Sequence, residues 1–182
     1  MEFKKDPSWW SKFLDKFNGV SYIPDMVWAN PDANFSTDAC KTGAGGWLDK
    51  EFYSCNFPEF VLKLGPHISQ LELWAILIGL KMWQKKFVDR KIQVFCDNSA
   101  SVTVINTGRS KDTLMLRILR EIALVAVQNN FEIRAVHLPG VSNRRADRLS
   151  RDTGSMNLEA QMGSDWCRID IPDSMFVLRD YW

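Results

Sequence analysis

The most apolar stretch of the chain lies between residues 71 and 82. If this stretch is a helix, large apolar side chains lie on nearly all of its sides: Leu71, Leu73, Trp74, Leu77, Ile78, Leu80 and Met82. A helix that is apolar nearly all round belongs inside a core rather than on a surface. Ser69 and Glu72 have the spacing of a capping box, so we predict a central, heavily buried helix from Ser69 to about Phe87.

The segments around this helix predict a mixed sheet. Three strand-like segments precede it as an antiparallel meander, and strands then alternate with helices. The predicted strands are 35–40, 44–48, 51–57, 91–97 and 131–137. The later helices are a short one that follows the turn residues Asp97-Asn98-Ser99 and ends near Asn106, one at 114–127, and one that ends near Ser150 after a cap at Ser142 or Asn143. This order is typical of an α/β fold with a mixed five-stranded sheet flanked by helices.

The length of 182 residues predicts one substantial domain with appendages. We divide the chain into an N-terminal arm at 1–32, a compact domain at 33–151, and a C-terminal linker and tail at 152–182. Tryptophans outside the predicted core are expected either to anchor the arm and tail or to mark surfaces for absent neighbours; these are Trp9, Trp10, Trp166 and Trp182.

Composition excludes several classes of protein. With 46% hydrophobic and 25% charged residues the chain is globular rather than disordered. Its net charge of +1 excludes a sequence-wide basic field, so a nucleic-acid partner has to be held locally. The four cysteines form no CxxC pair, which favours reduced, buried thiols. The start lacks a secretory signal and the longest apolar run is far short of the roughly 20 residues of a membrane span, so we expect an intracellular protein with no membrane partner.

Four acidic residues stand within core-forming segments. Asp38 lies inside the first strand, Glu72 in the first turn of the buried helix, Asp97 at a strand end and Asp147 in the last helix. Acidic side chains are rarely buried unless they are paired or bind a metal. Because ligands of open α/β sheets bind beyond the carboxyl ends of parallel strands, these acids are expected to converge on one rim.

Each acid also has a simpler interpretation. Glu72 is explained by the capping box with Ser69, Asp97 by a helix cap, and Asp147 by ion pairs with nearby arginines. Asp38 has no cap to form in the middle of a strand. The separate explanations do not account for the placement of all four acids.

The motifs around these acids resemble a ribonuclease H domain over about residues 33 to 151. They are Ser36-Thr37-Asp38-Ala39 with Gly43 to Gly46, Glu72-Leu-Trp-Ala75, Phe95-Cys96-Asp97-Asn98-Ser99, and the run from His137 through Asn143 and Asp147 to Ser150. The flanks, with Trp9-Trp10, Asn18-Gly19 and Asp165-Trp166, are similar to reverse transcriptase/ribonuclease H polyproteins of DIRS-type retrotransposons.

The resemblance implies a two-metal nuclease that cuts the RNA strand of an RNA–DNA hybrid. The implied metal ligands are Asp38, Glu72, Asp97 and Asp147, with two Mg²⁺ ions for which Mn²⁺ can substitute; carboxylate oxygens are the ligands that Mg²⁺ prefers. His137 matches the mobile loop histidine of the family, and its simpler interpretation is a strand-end histidine bonded to backbone. An adjoining reverse transcriptase domain is the implied protein partner.

Residues that contact the hybrid are expected at the turn after the first strand, at the helix starts and on the last helix. They are Cys40, Gly43, Ser69, Gln70, Asn98, Ser99, Asn143, Arg144 and Arg145. RNA is distinguished from DNA by its 2′-hydroxyls, and glycines allow close backbone approach. The glycines also fit a tight hairpin, and the arginines a solvated basic face. Between Asn106 and Leu114 there is no room for an extra basic helix, so the isolated chain is expected to bind hybrid weakly.

Two other functions compete with this interpretation. A DNA-cutting relative on the same fold is disfavoured by the run from His137 to Asp147, and a non-catalytic scaffold is disfavoured by the presence of all four acids. The glycines at 43–46 lack the Gly-Lys-Ser/Thr ending of a P-loop, and the two histidines form no HExxH motif.

Overall fold

The fold is described by a computed structural model that covers residues 5–17, 19, 21, 23, 30–153, 158 and 162–179. Its strands form one sheet: β1 Ala33–Ala39, β2 Gly43–Leu48, β3 Glu51–Asn56, β4 Lys91–Cys96, β5 Glu132–His137 and β6 Cys167–Arg168. The order across the sheet is β5-β4-β1-β2-β3-β6. The first three strands are antiparallel, whereas β4 and β5 continue parallel to β1. The mixed α/β sheet is confirmed. It has a sixth strand, β6, which comes from the tail and pairs parallel to β3. Because β6 has only two residues, it shows no alternating pattern in the sequence.

The helices are α1 Lys5–Leu14, α2 Glu59–Leu62, α3 Ile68–Trp83, α4 Ser99–Thr107, α5 Thr113–Gln128 and α6 Arg144–Arg151, with 3₁₀ turns at Gln84–Lys86 and Asp173–Phe176. Twelve of the sixteen α3 residues are buried, which confirms the central helix. The α3 helix packs against the sheet face that carries Phe35, and α6 covers the opposite face. Among the described residues, no helix is long and apolar enough to cross a membrane.

The start of α3 differs from the prediction. The helix is capped at His67, and the Gln70 side chain accepts a hydrogen bond of 2.6 Å from the His67 backbone N–H. Ser69 is therefore the second helical residue, and Glu72 does not close a capping box. The sequence predicts Ser69 with Glu72 because serine and glutamate are usual capping-box residues, whereas the structure places the cap two residues earlier.

The α6 helix lies unusually close to β2. A Cβ atom built on Gly45 would lie 2.4 Å from Leu149 Cβ, and one on Gly43 would lie 2.6 Å from the Ser150 carbonyl oxygen. The β2 glycines therefore make room for a helix backbone. A similar need for space exists at Gly46, where the Tyr53 ring occupies the position of a side chain.

Both ends of the chain pack onto this sheet and its helices. In α1, Trp9 and Phe13 are buried against Ala123 and Val127 of α5, whereas Trp10 is half exposed. In the tail, Trp166 packs beside Trp47 and Phe52. Trp9 and Trp166 thus behave as anchors, and Trp182 lies outside the described residues.

All four cysteines are free thiols. Burial is confirmed for Cys96, but Cys40 and Cys55 are only half-buried. The prediction is wrong for Cys167, which is exposed because it lies on the short edge strand β6.

Candidate active site

Four elements bring the four acids to one edge of the sheet. Asp38 is the penultimate residue of β1, and Asp97 directly follows the parallel strand β4, so both stand at carboxyl ends of strands. Glu72 lies near the start of α3, and Asp147 lies in α6. Asp38 interacts electrostatically with each of the other three acids, which places it at the centre of the group.

The Asp38 side chain is buried below α6. Its Oδ2 atom accepts a hydrogen bond of 2.5 Å from the Ser150 hydroxyl. Burial raises the pKa of Asp38 from 3.8 to about 6, and the neighbouring carboxylates of Asp97 and Asp147 contribute to the rise. The Ser150 hydrogen bond lowers this pKa but does not cancel the cost of burial.

Glu72 is the most strongly perturbed carboxyl group of the site. It is only 4% exposed, and burial raises its pKa from 4.5 to about 9, with further contributions from Asp38 and Asp97. A carboxylate in this position is stabilised only when positive charge or a proton accompanies it. Because Glu72 is not a capping residue, its simpler interpretation does not apply.

Glu72 and Asp97 form a compact donor set together with Cys96. One ligand atom from each residue lies within 4.8 Å of the other two. The Cys96 thiol donates to Glu72 Oε2 at 3.8 Å, and burial raises the pKa of this thiol, so it remains protonated. Asp97 is not the cap of α4 either, because Asn98 Oδ1 accepts from the Ser101 N–H at 3.1 Å.

Asp147 stands at the more open side of the group. Arg151 binds its Oδ1 atom through Nε and Nη2, both at 2.7 Å. The ion pair with arginine, which is the simpler role considered for Asp147, is therefore present. It lies beside the buried acids rather than on a remote surface.

His137 ends β5 next to this edge. Its Nε2 atom donates to the Asp97 backbone carbonyl at 3.2 Å. A Cβ built on Gly140 would lie 3.2 Å from Asp97 Oδ2, so the loop after His137 passes close to the acids. The backbone bond is the simpler role considered for His137, and its part in catalysis stays a prediction.

A cleft of about 720 Å³ opens over the acids. Besides Asp38, Glu72 and Asp97, its walls include Ala39, Cys40, Lys41, Thr42, Ile68, Asn98 and Arg151. Of the predicted hybrid contacts, Cys40 and Asn98 therefore line the cleft. The Cys40 thiol donates to the Ser150 carbonyl at 3.2 Å, which ties the turn after β1 to α6.

Most of the other predicted contact residues have structural partners. Gln70 Nε2 donates to the Asp112 carboxylate at 2.8 and 3.0 Å, and the Ser69 carbonyl accepts from Ser101. Ser99 is exposed at the start of α4. Gly43 is buried beneath α6, so helix packing already accounts for its missing side chain. Their contacts with substrate stay predictions.

The three predicted contact residues at the start of α6 lie in different environments. Asn143 is buried and donates through Nδ2 to the Thr37 carbonyl at 2.9 Å, which fastens the start of α6 to β1. Arg144 is exposed. Arg145 is exposed as well, and its guanidinium lies over the Trp47 and Trp166 rings.

Sequence reasoning missed Ser150 and Arg151 as members of the site. They follow Asp147 by three and four residues, the spacing at which helical side chains are neighbours. That spacing was a usable signal for Arg151. The Ser150 contact needs the register of α6 on β1, which local sequence does not carry.

The donor set suits a divalent cation. Carboxylate oxygens of Glu72 and Asp97 face one another within 4.8 Å, and Asp38 adds a third buried carboxyl with a raised pKa. A hard cation offsets the repulsion and the desolvation that raise these pKa values. Asp38, Glu72, Asp97 and Asp147 are the residues that could hold it.

Known proteins share this sequence pattern and this fold. The sequence model of a protein family described as reverse transcriptase-like matches residues 30–153. LC11-RNase H1, isolated from compost by a metagenomic approach, superposes with a TM-score of 0.53 at 21% identity, covering 66% of this chain and 93% of that one. The fold is therefore that of ribonuclease H.

A second solved structure is RNase H1 from the halophilic archaeon Halobacterium salinarum NRC-1. It has a TM-score of 0.47 at 15% identity and covers 64% of this chain and 92% of that chain. No curated protein matches the chain in sequence.

Proposed function

The chain belongs to the reverse transcriptase-like family, and on that premise we propose that it is a metal-dependent endonuclease that hydrolyses the RNA strand of RNA–DNA hybrids. The observation that carries the proposal is the group of Asp38, Glu72, Asp97 and Asp147 at one sheet edge, with raised pKa values at its two buried members. Such a group is costly in a fold unless it binds something positive.

The proposed cofactor is a pair of Mg²⁺ ions held by these four carboxylates, with Mn²⁺ as a substitute. Bound there, they would supply Lewis acidity to the attacking water and to the leaving 3′ oxygen. The protein's own part is to hold the carboxylates in place: Ser150 orients Asp38, and Arg151 pairs with Asp147 when no cation is bound there. The buried position of Glu72 excludes water from one side of the group.

Substrate binding is proposed for the walls of the cleft. Lys41 and Arg151 bring positive charge beside the acids, where the backbone of a nucleic acid would lie. Asn98 offers an amide to the same space. His137, on the neighbouring loop, is proposed to assist proton transfer or product release.

The biological setting is proposed as retroelement reverse transcription inside the cell, in the cytoplasm or the nucleus. The resemblance of the flanking segments to DIRS-type polyproteins and the match to a reverse transcriptase-like family support this setting. An adjoining reverse transcriptase domain is then the expected partner of the chain.

The deciding experiment incubates labelled RNA–DNA hybrid, duplex DNA and duplex RNA with the protein in Mg²⁺ or Mn²⁺. We expect cleavage of the hybrid RNA, and loss of that cleavage in Asp38→Asn. Asp49→Asn is the matched control, because it removes one carboxylate at an exposed turn where asparagine tolerates the positive φ. Cleavage of duplex DNA instead favours a DNA-cutting relative, and binding without cleavage favours a scaffold.

A further inference from the structure

The tail beyond the family match packs onto the helix that carries Asp147. The match ends at residue 153, whereas ordered contacts continue to residue 179. We call Leu158, Met162 and residues 163–169 the brace. It joins the sheet at β3, where the Cys167 N–H donates to the Lys50 carbonyl at 2.8 Å.

Further bonds fix the brace along β3. The Ile169 N–H donates to the Phe52 carbonyl at 2.8 Å, Arg168 Nη2 donates to the Ser54 carbonyl at 3.3 Å, and Lys50 pairs with Asp165. This half of the tail is therefore held by the sheet independently of α6.

From this fixed position the brace contacts the side of α6 that carries Arg145 and Leu149. Leu158 is buried together with Leu149 of α6 and Phe52 of β3. The Arg145 guanidinium carbon lies 4.7 Å from the centre of the Trp166 ring and 5.0 Å from that of Trp47. Cation–π contacts of this length are attractive and directional.

Arg145 and Asp147 lie on nearly opposite sides of α6, because two helical steps turn the chain by about 200°. The helix is only eight residues long, so its position depends on tertiary contacts rather than on its own stability. It rests on the glycines of β2 and is bonded to β1 through Asn143 and Ser150. The brace adds contacts at Arg145 and Leu149, on the side of the helix opposite Asp147.

We propose that the brace positions α6 and so keeps Asp147 at the carboxylate group, with Trp166 as the positioning residue. The part of this proposal that concerns cation binding rests on the proposed function. Trp166 itself touches Arg145, Trp47 and Phe52, and acts on the site through α6.

The test compares Trp166→Ala and Trp166→Phe with a variant at the other end of the tail. Phe176 is buried, packs beside Phe57, and lies in the 3₁₀ turn that contacts α3. Within the part of the chain that the structure describes it has no ring contact with α6, so Phe176→Ala is the control for general destabilisation. Two readouts are needed: amide hydrogen exchange of residues 144–151, and Mn²⁺ affinity by calorimetry well below the unfolding temperature.

We expect Trp166→Ala to accelerate exchange in α6 relative to β1 and to weaken Mn²⁺ binding about three- to tenfold, at or below the range for groups that orient metal ligands directly. Trp166→Phe should keep most of the slow hydrogen exchange in α6 and most of the Mn²⁺ affinity. Phe176→Ala should lower the unfolding temperature without either selective effect. Unchanged exchange in α6, or equal weakening of Mn²⁺ binding by Phe176→Ala, overturns the proposal.

The two proposals fail in different ways. A wild-type protein that neither binds Mn²⁺ nor cleaves hybrid overturns the proposed function, and with it the link from the brace to cation binding. Hydrogen exchange in α6 still decides in that case whether Trp166 fixes the helix. If the protein cleaves hybrid but hydrogen exchange in α6 does not depend on Trp166, the proposed role of the brace is overturned and the proposed function stands.

Discussion

At the scale of single residues, the site consists of carboxyl groups that the fold makes expensive to ionise. Glu72 and Asp38 are buried next to each other, and their pKa values rise to about 9 and about 6. Neither group is a cap or half of a simple ion pair. Their neighbours Ser150 and Arg151 act on the two ends of the group, one through a hydrogen bond and one through charge.

These pKa values predict how stability depends on pH in a chelating buffer. Between pH 4.5 and about 9 the folded state keeps a proton on Glu72 that the unfolded chain has released, so the free energy of unfolding falls as pH rises. Asp38 also lowers the free energy of unfolding as pH rises, between pH 3.8 and about 6. Glu72→Gln, which stays neutral, should flatten this fall.

Urea unfolding of both proteins at about pH 5 and about pH 8 measures the effect through the linkage between proton binding and stability. The variant should gain stability relative to wild type at the higher pH. Added Mg²⁺ should restore the wild type there and leave Glu72→Gln less affected. Parallel pH profiles for the two proteins would contradict the raised pKa of Glu72.

Arg151 predicts a competition with the cation. Because its guanidinium already binds Asp147 Oδ1, a cation that uses this oxygen has to displace it. We expect Arg151→Gln to tighten Mn²⁺ binding about two- to fivefold at low salt, the range that one exposed ion pair supports. Calorimetry without nucleic acid measures this directly.

Arg148→Gln is the matched control for that measurement. Arg148 lies on the same helix and pairs with Asp152 at 3.7 Å, so its removal changes the net charge equally. An equal gain in both variants would assign the effect to net charge. Weaker binding in Arg151→Gln would mean that Arg151 supports the cation rather than competing with it.

At the scale of elements, the contact between β2 and α6 determines where Asp147 lies. The helix reaches the sheet because Gly43 and Gly45 leave its backbone room. Asn143 then fastens the helix start to β1, and Ser150 bonds to Asp38 one turn beyond Asp147. Small residues on a strand thus serve the site through packing.

Gly45→Ala should therefore destabilise the protein by about 1–3 kcal/mol, the usual cost of overpacking, and weaken cation binding. Urea unfolding and Mn²⁺ calorimetry measure the two effects. The new Cβ would meet the Leu149 carbonyl carbon and the Ser150 nitrogen at 2.5 Å as well as Leu149 Cβ. Leu149→Ala keeps its Cβ and these backbone atoms, so it should fail to rescue Gly45→Ala, and a full rescue would show that α6 can move away from β2 without loss of stability.

The elements themselves were largely readable from the sequence. Alternating strands and the all-round apolar α3 predicted the mixed sheet and its central helix, since both depend on local periodicity. The predicted start of α3 is wrong because Ser69 and Glu72 have the usual residues and spacing of a capping box, whereas the structure places the cap at His67. Strand β6 was missed because two residues show no period, and the Ser150 bond because it joins positions 112 residues apart.

At the scale of the whole molecule, the fold is larger than the segment that matches the family. The tail crosses from α6 to the far side of the sheet, where Lys81 donates to the Met175 and Val177 carbonyls. Glu121 of α5 accepts from the Arg179 N–H at 3.0 Å. The same tail therefore contacts the helices that carry Glu72 and Asp147, the two acids that lie within helices.

Charge distribution at this scale predicts how the chain binds its substrate. The net charge is +1, and only residues 108–112 connect α4 to α5, with Arg109 and Lys111 as their basic residues. Among the described residues that line the cleft, the basic ones are Lys41 and Arg151. We therefore expect weak, local binding of hybrid.

Fluorescence anisotropy of labelled hybrid with Asp38→Asn in Mg²⁺ measures this binding without cleavage. With about three or four phosphate contacts, log K should fall with log salt at a slope of about −3. Fusion to a polymerase domain should raise affinity and steepen that slope, because the added surface supplies phosphate contacts. Tight binding by the chain alone with a steep salt slope would instead mean that its surface holds the duplex unaided, and the neighbouring domain would then be unnecessary for affinity.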